Sequence, residues 1–426
     1  MAQGALPGFR DFYPEQFAER AYIMSVWRRV LRRYAFSEYD GPPLEPLDLY
    51  RKKSGDELVG QLYSFTDKGD REVAMRPEMT PTFARMVAAK ANALRKPVRW
   101  FSIPQLFRYE RQQKGRLREH FQLNADIVGE AAVTADAELL SIALDIMREF
   151  GLGSSDVKAR VSDRRLLQAL VMDAGAPESA LPAVYAVIDK RGREPIEVSR
   201  EKMERAVGSA DVAARVDAFL GIADIGELSG MYAGNPPIDQ HLDRIRAYFS
   251  YLEALGFAEW VNLDLSIVRG LAYYTGIVFE LFDTAGEYRA ICGGGRYDTL
   301  LQTLGGVDLP ALGFGMGDVV IGELLRARGL IPETPTRTDY WVAGEDDAMT
   351  PQVMSVAAEL RKRDKSVEYS LKPQQLSRQL KSAATAGASH AVLLKHEGFA
   401  AGEVTVRDLE AGTERAVSLE DFINSL

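Results

Sequence analysis

Apolar residues recur along this chain with changing periods, and those periods divide it into elements. Phe17, Ala21, Met24, Val30 and Leu31 fall near helical spacing behind Pro14, so Glu15–Ala35 predicts one amphipathic helix. Asp40-Gly41-Pro42-Pro43 then breaks the chain. Tyr63–Asp67 and Glu72–Met75 read as strands joined by a turn at Lys68-Gly69-Asp70, and Pro81–Ala91 as a helix. Val98–Phe107 and Phe121–Val128 are strand-like and flank a charged stretch, which predicts a hairpin with a long basic tip. A helix is expected over Ala135–Phe150. Leu166–Phe257 is mostly helical, with breaks at Gly175-Ala176-Pro177 and Gly234-Asn235-Pro236-Pro237, and reads as a helical insertion over about 160–245. Strand signals return at Val261–Leu265, Val278–Phe282 and Arg289–Cys292, and Gly313–Gly317 leads into a helix ending near Ala327.

Gly329-Leu330-Ile331-Pro332-Glu333-Thr334-Pro335-Thr336 marks a linker, taken as 329–338. Beyond it, strand Tyr340–Ala343, helix Pro351–Arg363, strand Val367–Ser370, helix Gln374–Ala386 and strand Ala391–Leu394 alternate. This βαβαβ order predicts a small α/β domain over 339–426 with a largely parallel sheet. Residues 1–328 read instead as an α+β domain, an antiparallel sheet flanked by helices and interrupted by the helical insertion.

A length of 426 residues exceeds what one core usually holds, in keeping with that division. The composition, 46% hydrophobic and 27% charged, fits a soluble globular protein, and no apolar run approaches a bilayer span. The first residues lack the basic and apolar regions of a secretory signal. A single cysteine, Cys292, excludes an internal disulfide and fits a reducing cytoplasm, and four histidines offer no metal-ligand cluster. The net charge of −9 argues against a protein that coats nucleic acid by charge alone, but a local basic stretch still sets its own field.

Four segments carry candidate chemistry, and each has a plain structural alternative. Arg108, Arg111, Lys114, Arg116 and Arg118 place five cations in a loop between two strands. That is either a solvated hairpin tip or a grip on a polyanion, since arginine forks match phosphate geometry. In Met75-Arg76-Pro77-Glu78-Met79-Thr80, the Glu78 carboxylate and Thr80 hydroxyl suit an ammonium group; taken alone, Thr80 reads better as a helix cap. Val268-Arg269-Gly270-Leu271-Ala272-Tyr273-Tyr274-Thr275-Gly276 fits a packed turn beside a core. Gly293-Gly294-Gly295 after the strand ending at Cys292 gives backbone without side chains, which a flat ligand can approach closely. It is neither a P-loop nor a dinucleotide fingerprint.

Taken together and in this order, the segments resemble a class II aminoacyl-tRNA synthetase of the histidine-specific family. Arg108–Gln122 resembles the family's motif 2. Arg269-Gly270-Leu271, followed by Tyr273-Tyr274, resembles its histidine signature, and Gly293-Gly294-Gly295-Arg296-Tyr297-Asp298 the companion segment. Gly8-Phe9-Arg10-Asp11 also fits, and the C-terminal α/β unit resembles the anticodon-binding domain. The resemblance implies activation of histidine with ATP, assisted by Mg²⁺, and transfer of the histidyl group to the 3′ end of histidine tRNA. It implies that Arg108 and Arg269 act on the phosphates as catalytic groups and also contact the histidine. Glu78, Thr80 and Gln122 would hold the α-amino group. Asp126 and Tyr274 would read the imidazole, with Tyr273 lining the same pocket. Glu110, His120 and Gly315 would bind ATP, and Arg111, Gln113 and Arg116 the tRNA acceptor end. A homodimer is implied as well, through the N-terminal helix and the Pro42 region.

The sequence departs from the family at the adenine clamp. Val320 stands where the motif 3 arginine is usual, and His120 where a phenylalanine is usual. Ala272 replaces the aspartate before the tyrosine pair. A divergent branch that includes plant-type members looks similar at motif 3. The same fold also serves a paralogue, the histidine-sensing regulatory subunit of ATP phosphoribosyltransferase. That paralogue commonly lacks the anticodon-binding domain and the full basic loop, both of which this chain has. Synthetase-like RNA-binding or stress-sensor modules, a further alternative, carry large extra domains.

Overall fold

In the computed structural model the chain forms two units, Met1–Ile331 and Pro332–Leu426. The structure describes residues 4–51, 60–109, 117–192, 194–269, 273–332 and 338–426.

The first unit is built on β1 (Ser37–Glu38), β2 (Leu44–Pro46), β3 (Ser64–Thr66), β4 (Glu72–Met75), β5 (Val98–Ser102), β6 (Gln105–Phe107), β7 (Glu119–Val128), β8 (Val157–Asp163), β9 (Val261–Leu263), β10 (Ile277–Asp283), β11 (Cys292–Arg296) and β12 (Ala311–Gly317). Nine of them form one sheet in the order β1-β5-β7-β12-β11-β10-β8-β9, with β6 on β7. Its centre is antiparallel as expected, while β1–β5 and β8–β9 pair in parallel. β2, β4 and β3 make a small separate sheet.

One face of the main sheet is apolar. Leu123, Ala125 and Ile127 of β7 and Leu312, Phe314 and Met316 of β12 join a core with the helix Val133–Glu149. That helix buries eleven residues, nine of them apolar, and leaves Glu138, Asp145, Arg148 and Glu149 at least partly open to solvent, the pattern of a helix that buries a wide apolar face. The helix Pro14–Arg33 adds Trp27, Val30 and Leu31 to the same core. The opposite face carries the site and is closed at one end by Phe83, Ala84 and Val87 of the helix Thr80–Lys90.

The boundaries differ from the sequence reading in places. Val98–Phe107 is two strands, because the chain turns at Ile103-Pro104 before pairing again with β7. Val157–Asp163 is a sheet strand, so the helical insertion starts at Arg164, not near 160. It runs on past 245 to Ala254, where its last helix hands the chain back towards β9. The three glycines lie inside β11, and Gly313–Gly317 belongs to β12. Thr80 is not a cap: the N-cap is Met79, with no side-chain capping bond.

The second unit has its own sheet, of β13 (Thr338–Gly344), β14 (Val367–Tyr369), β15 (Ala388–Leu394), β16 (Glu403–Asp408) and β17 (Glu414–Ser418), in the order β14-β13-β15-β16-β17. The three strands expected from the βαβαβ pattern are parallel, whereas β16 and β17 extend the sheet antiparallel. Helices Thr350–Arg361 and Leu376–Thr385 cover it through two apolar clusters, one around Val342, Val353 and Leu360 and one around Trp341, Ala383 and Leu393.

Candidate active site

Strand pairing sets out the site in rows. Asn124, Gly315, Gly293 and Glu280 lie side by side across β7, β12, β11 and β10; Asp126, Gly313, Gly295 and Val278 form the next row. Each row has two glycines at its middle, so the sheet offers bare backbone flanked by polar side chains. The neighbours leave no room for more. A methyl group on Gly313 would collide with Asp126, one on Gly293 with the Arg269 guanidinium, and one on Gly315 would come 3.0 Å from Gln122 Cδ. Gly295 is closed off by the Ile277 carbonyl at 2.6 Å, and Gly294, facing the core, by Phe314 Cβ at 2.5 Å. The run of glycines is therefore a packing requirement as well as a floor.

Arg269 lies on that floor. Its backbone is left-handed, with φ 49°, a conformation that costs a non-glycine residue roughly 1–2 kcal/mol. The turn is held by Arg164, which donates to the Val268 carbonyl at 2.8 Å. Arg269 Nη1 donates to Glu280 at 3.2 Å, and the guanidinium stands 5.5 Å from the centre of the Tyr274 ring. Its Nε is buried without a hydrogen-bond partner among the described residues, a donor that suits an anionic ligand. Gly293→Ala is accordingly expected to cut turnover at least tenfold by displacing this guanidinium, with the melting temperature little changed; steady-state kinetics beside a thermal melt test it.

Arg108 sits at the base of the basic hairpin, where its backbone N–H bonds the Arg118 carbonyl at 2.9 Å. Its Nε donates to the Pro77 carbonyl at 2.9 Å, which ties it to the segment carrying Glu78 and Thr80. That segment is anchored in turn by buried Arg76, bonded to Asp40 at 2.8 Å and to the Gln105 carbonyl at 3.0 Å.

One cavity brings Glu78, Thr80, Arg108, Gln122, Asp126, Arg269, Tyr273, Tyr274 and Gly315 together. Four further lining residues, Asn124, Tyr297, Gly313 and Phe314, had no assigned role in the sequence reading, and Gly293 comes from the glycine run read there as bare backbone. Tyr297 stood in the Gly-Gly-Gly-Arg-Tyr-Asp segment; the signal was present, but its partner, Asp126, is 171 residues away. His120 lies on β7 opposite Leu106, two residues before Gln122, and is not among the lining residues. Val320 is half-buried on the helix Asp318–Ala327 against the main core. Glu110, Arg111, Gln113, Arg116 and Ala272 lie outside the described residues. Gly8 is bound to the hairpin by its carbonyl, which accepts from Arg118 N at 3.0 Å, and Arg10 pairs with buried Glu119 at 2.6 Å and Asp318 at 3.0 Å.

Burial, with the neighbouring Tyr274 and Glu78, pushes the Tyr273 hydroxyl well above the usual tyrosine range; burial and Asp126 do the same to Tyr297. Both keep their protons and serve as donors at neutral pH.

The family profile described as Histidyl-tRNA synthetase matches residues 8–317, and that of an Anticodon binding domain matches 336–426. A protein of Opitutus terrae named Histidine–tRNA ligase is 44% identical over 420 residues, covering 98% of this chain and 96% of its own. The Arabidopsis thaliana protein named Histidine–tRNA ligase, chloroplastic/mitochondrial, is 40% identical over 415 residues, covering 97% and 85%. The crystal structure of histidyl-tRNA synthetase from Nostoc sp. PCC 7120 superposes with a TM-score of 0.83 at 22% identity over 100% of both chains. A Bacillus halodurans structure, described as an ATP phosphoribosyltransferase regulatory subunit/histidyl-tRNA synthetase, gives 0.76 at 21%, covering 92% and 98%. At those identities the two structures speak for the fold alone. A mixed sheet with a polar, arginine-lined face, joined to a separate anticodon-binding unit, is the make-up of an aminoacyl-tRNA synthetase. The chain belongs to the histidyl-tRNA synthetase family.

Proposed function

We propose that this protein is a histidine–tRNA ligase, which activates histidine with ATP and transfers the histidyl group to the 3′ end of histidine tRNA. The observation that carries this is the meeting of Arg108 and Arg269 with Glu78, Thr80, Gln122, Asp126, Tyr273 and Tyr274 around one cavity. In the first step an oxygen of the histidine carboxylate bonds to the α-phosphorus of ATP, and pyrophosphate leaves with the electron pair. Negative charge grows on the phosphoryl oxygens, and Arg108 and Arg269 are the fixed cations that meet it. Glu78, Thr80 and Gln122 hold the α-ammonium group; Asp126 and Tyr274 read the two edges of the imidazole. ATP enters as its magnesium complex. The ion would be held chiefly by the substrate's phosphate oxygens, whose charge it would offset. Gly315 offers bare backbone to the nucleotide; by resemblance to the family, Glu110 and His120 are further ATP contacts, and Arg111, Gln113 and Arg116 contacts of the tRNA acceptor end.

The enzyme acts in the cytoplasm as a homodimer formed through its N-terminal helix and the Pro42 region. No helix among the described residues is long and apolar enough to cross a membrane. The test is histidine-dependent exchange of pyrophosphate into ATP. Exchange is expected with histidine and not with other amino acids; intact histidine binding without exchange would instead support the regulatory-subunit reading.

A further inference from the structure

Both ends of the segment that carries Arg269 are tied to the start of the helical insertion. The insertion opens with the helix Arg164–Asp173. Its first residue donates through Nη1 to the Val268 carbonyl at 2.8 Å and through its backbone N–H to the Gly276 carbonyl at 3.0 Å. Arg165 Nε donates to the Thr275 carbonyl at 2.8 Å, and its Nη2 pairs with Asp298 at 2.9 Å. We propose that Arg164 is a positioning residue for the reaction: it sets the turn that aims the Arg269 guanidinium, and so makes turnover depend on how the insertion is seated. The inference rests on the reading of Arg269 as a cation that meets the phosphates.

Peptide geometry gives the contact its leverage. The Val268 carbonyl and the Arg269 N–H belong to one planar unit, so fixing that oxygen fixes the plane from which the Arg269 side chain departs. The plane needs fixing, because Arg269 has φ 49°, a left-handed conformation disfavoured for a residue with a Cβ. A guanidinium on a carbonyl makes a charge-assisted bond, strong enough to offset that cost. Arg164 does not line the cavity, so its effect on the chemistry passes through the backbone. The insertion holds Arg164 in turn. Its guanidinium lies 4.1 Å from the centre of the Tyr185 ring, on the insertion helix Leu181–Asp189. Buried Asp163 caps the helix that Arg164 begins, accepting from Arg165 N at 2.7 Å and Leu166 N at 3.3 Å. Arg244, on the last helix of the insertion, stands 3.6 Å from the same carboxylate. Arg164 is thus held by the insertion on one side and holds the turn of Arg269 on the other.

The experiment measures histidine-dependent pyrophosphate exchange on the whole chain, with a thermal melt of each variant. Arg164→Ala is expected to lower kcat about tenfold, the loss of one charge-assisted hydrogen bond, with the histidine KM within about threefold. Arg164→Lys, which keeps a donor for the Val268 carbonyl, is expected to recover most of that loss. Combined with Arg269→Ala, Arg164→Ala is expected to add no more than about a twofold drop, because the group it positions is gone. Tyr185→Leu removes the ring but keeps an apolar side chain. It is expected to lower kcat about threefold with the same dependence on Arg269, and decides the matter if Arg164→Ala does not fold. An unchanged kcat, a parallel loss of histidine affinity, or an equal further drop in the Arg269→Ala background overturns the inference. Arg269→Ala alone separates the two levels. If it leaves turnover intact, the reading of Arg269 is wrong; if it slows exchange and neither Arg164→Ala nor Tyr185→Leu does, only the positioning role fails.

Discussion

Arg269→Ala is expected to slow histidine-dependent pyrophosphate exchange about 10²–10³-fold while changing histidine affinity far less, the magnitude typical of removing one fixed donor from a developing oxyanion. The reasoning is geometric. Arg269 is held by a left-handed backbone, by Glu280 at 3.2 Å and by the glycine floor beneath it, so its charge is in place before the substrate arrives. A preorganised cation gives most where charge grows, and its loss falls on kcat rather than on ground-state binding. Lysine in its place is expected to restore little, because an ammonium lacks the planar fork that meets both Glu280 and a phosphate. Steady-state kinetics of both variants test this. Equal losses in turnover and in histidine binding would refute the role.

Asp136→Ala is expected to destabilise the N-terminal unit by about 3–5 kcal/mol, the usual cost of leaving a buried charge without its partner. Asp136 is 3% exposed and accepts from Arg296 through Nε at 3.0 and 3.2 Å and Nη2 at 2.6 Å. Arg244, from the last helix of the insertion, stands 3.7 Å from the same carboxylate. Arg296 would keep Asp298 at 3.1 Å and the Glu130 carbonyl at 3.0 Å, but lose its only two-pronged partner among the described residues. Urea unfolding followed by tryptophan fluorescence measures the change; a loss below about 1 kcal/mol would mean that solvent or Asp298 takes over the charge.

The sheet's sidedness was legible where alternation is strong. β7 places Leu123, Ala125 and Ile127 on one face and Gln122, Asn124 and Asp126 on the other, as its sequence suggests. β8 carries the same signature, Val157, Ala159 and Val161 against Lys158 and Arg160, but the helix that begins directly after Asp163 obscures it. β11 could not be read at all from periodicity, since three glycines have no polarity to alternate; what makes them a strand is the room that Ile277, Phe314 and Arg269 leave. Local preference also misled at Thr80, whose hydroxyl suits a cap in isolation, yet the helix starts from Met79 and Thr80 faces the cavity. The site residues within the resemblance were found by their order along the chain. Tyr297 was not assigned, because a contact with a partner 171 residues away exists only once registers are known.

The glycine floor has a consequence for inhibition. A site walled by side chains can change shape one substitution at a time, and a competitive inhibitor selects for such changes. Here Gly293, Gly313 and Gly315 form the base, and added carbon at any of them meets a side-chain atom already in place. A compound that spreads over this backbone, leaning little on Thr80 or Asn124 at the walls, would rest on the part of the pocket with the fewest viable escape mutations.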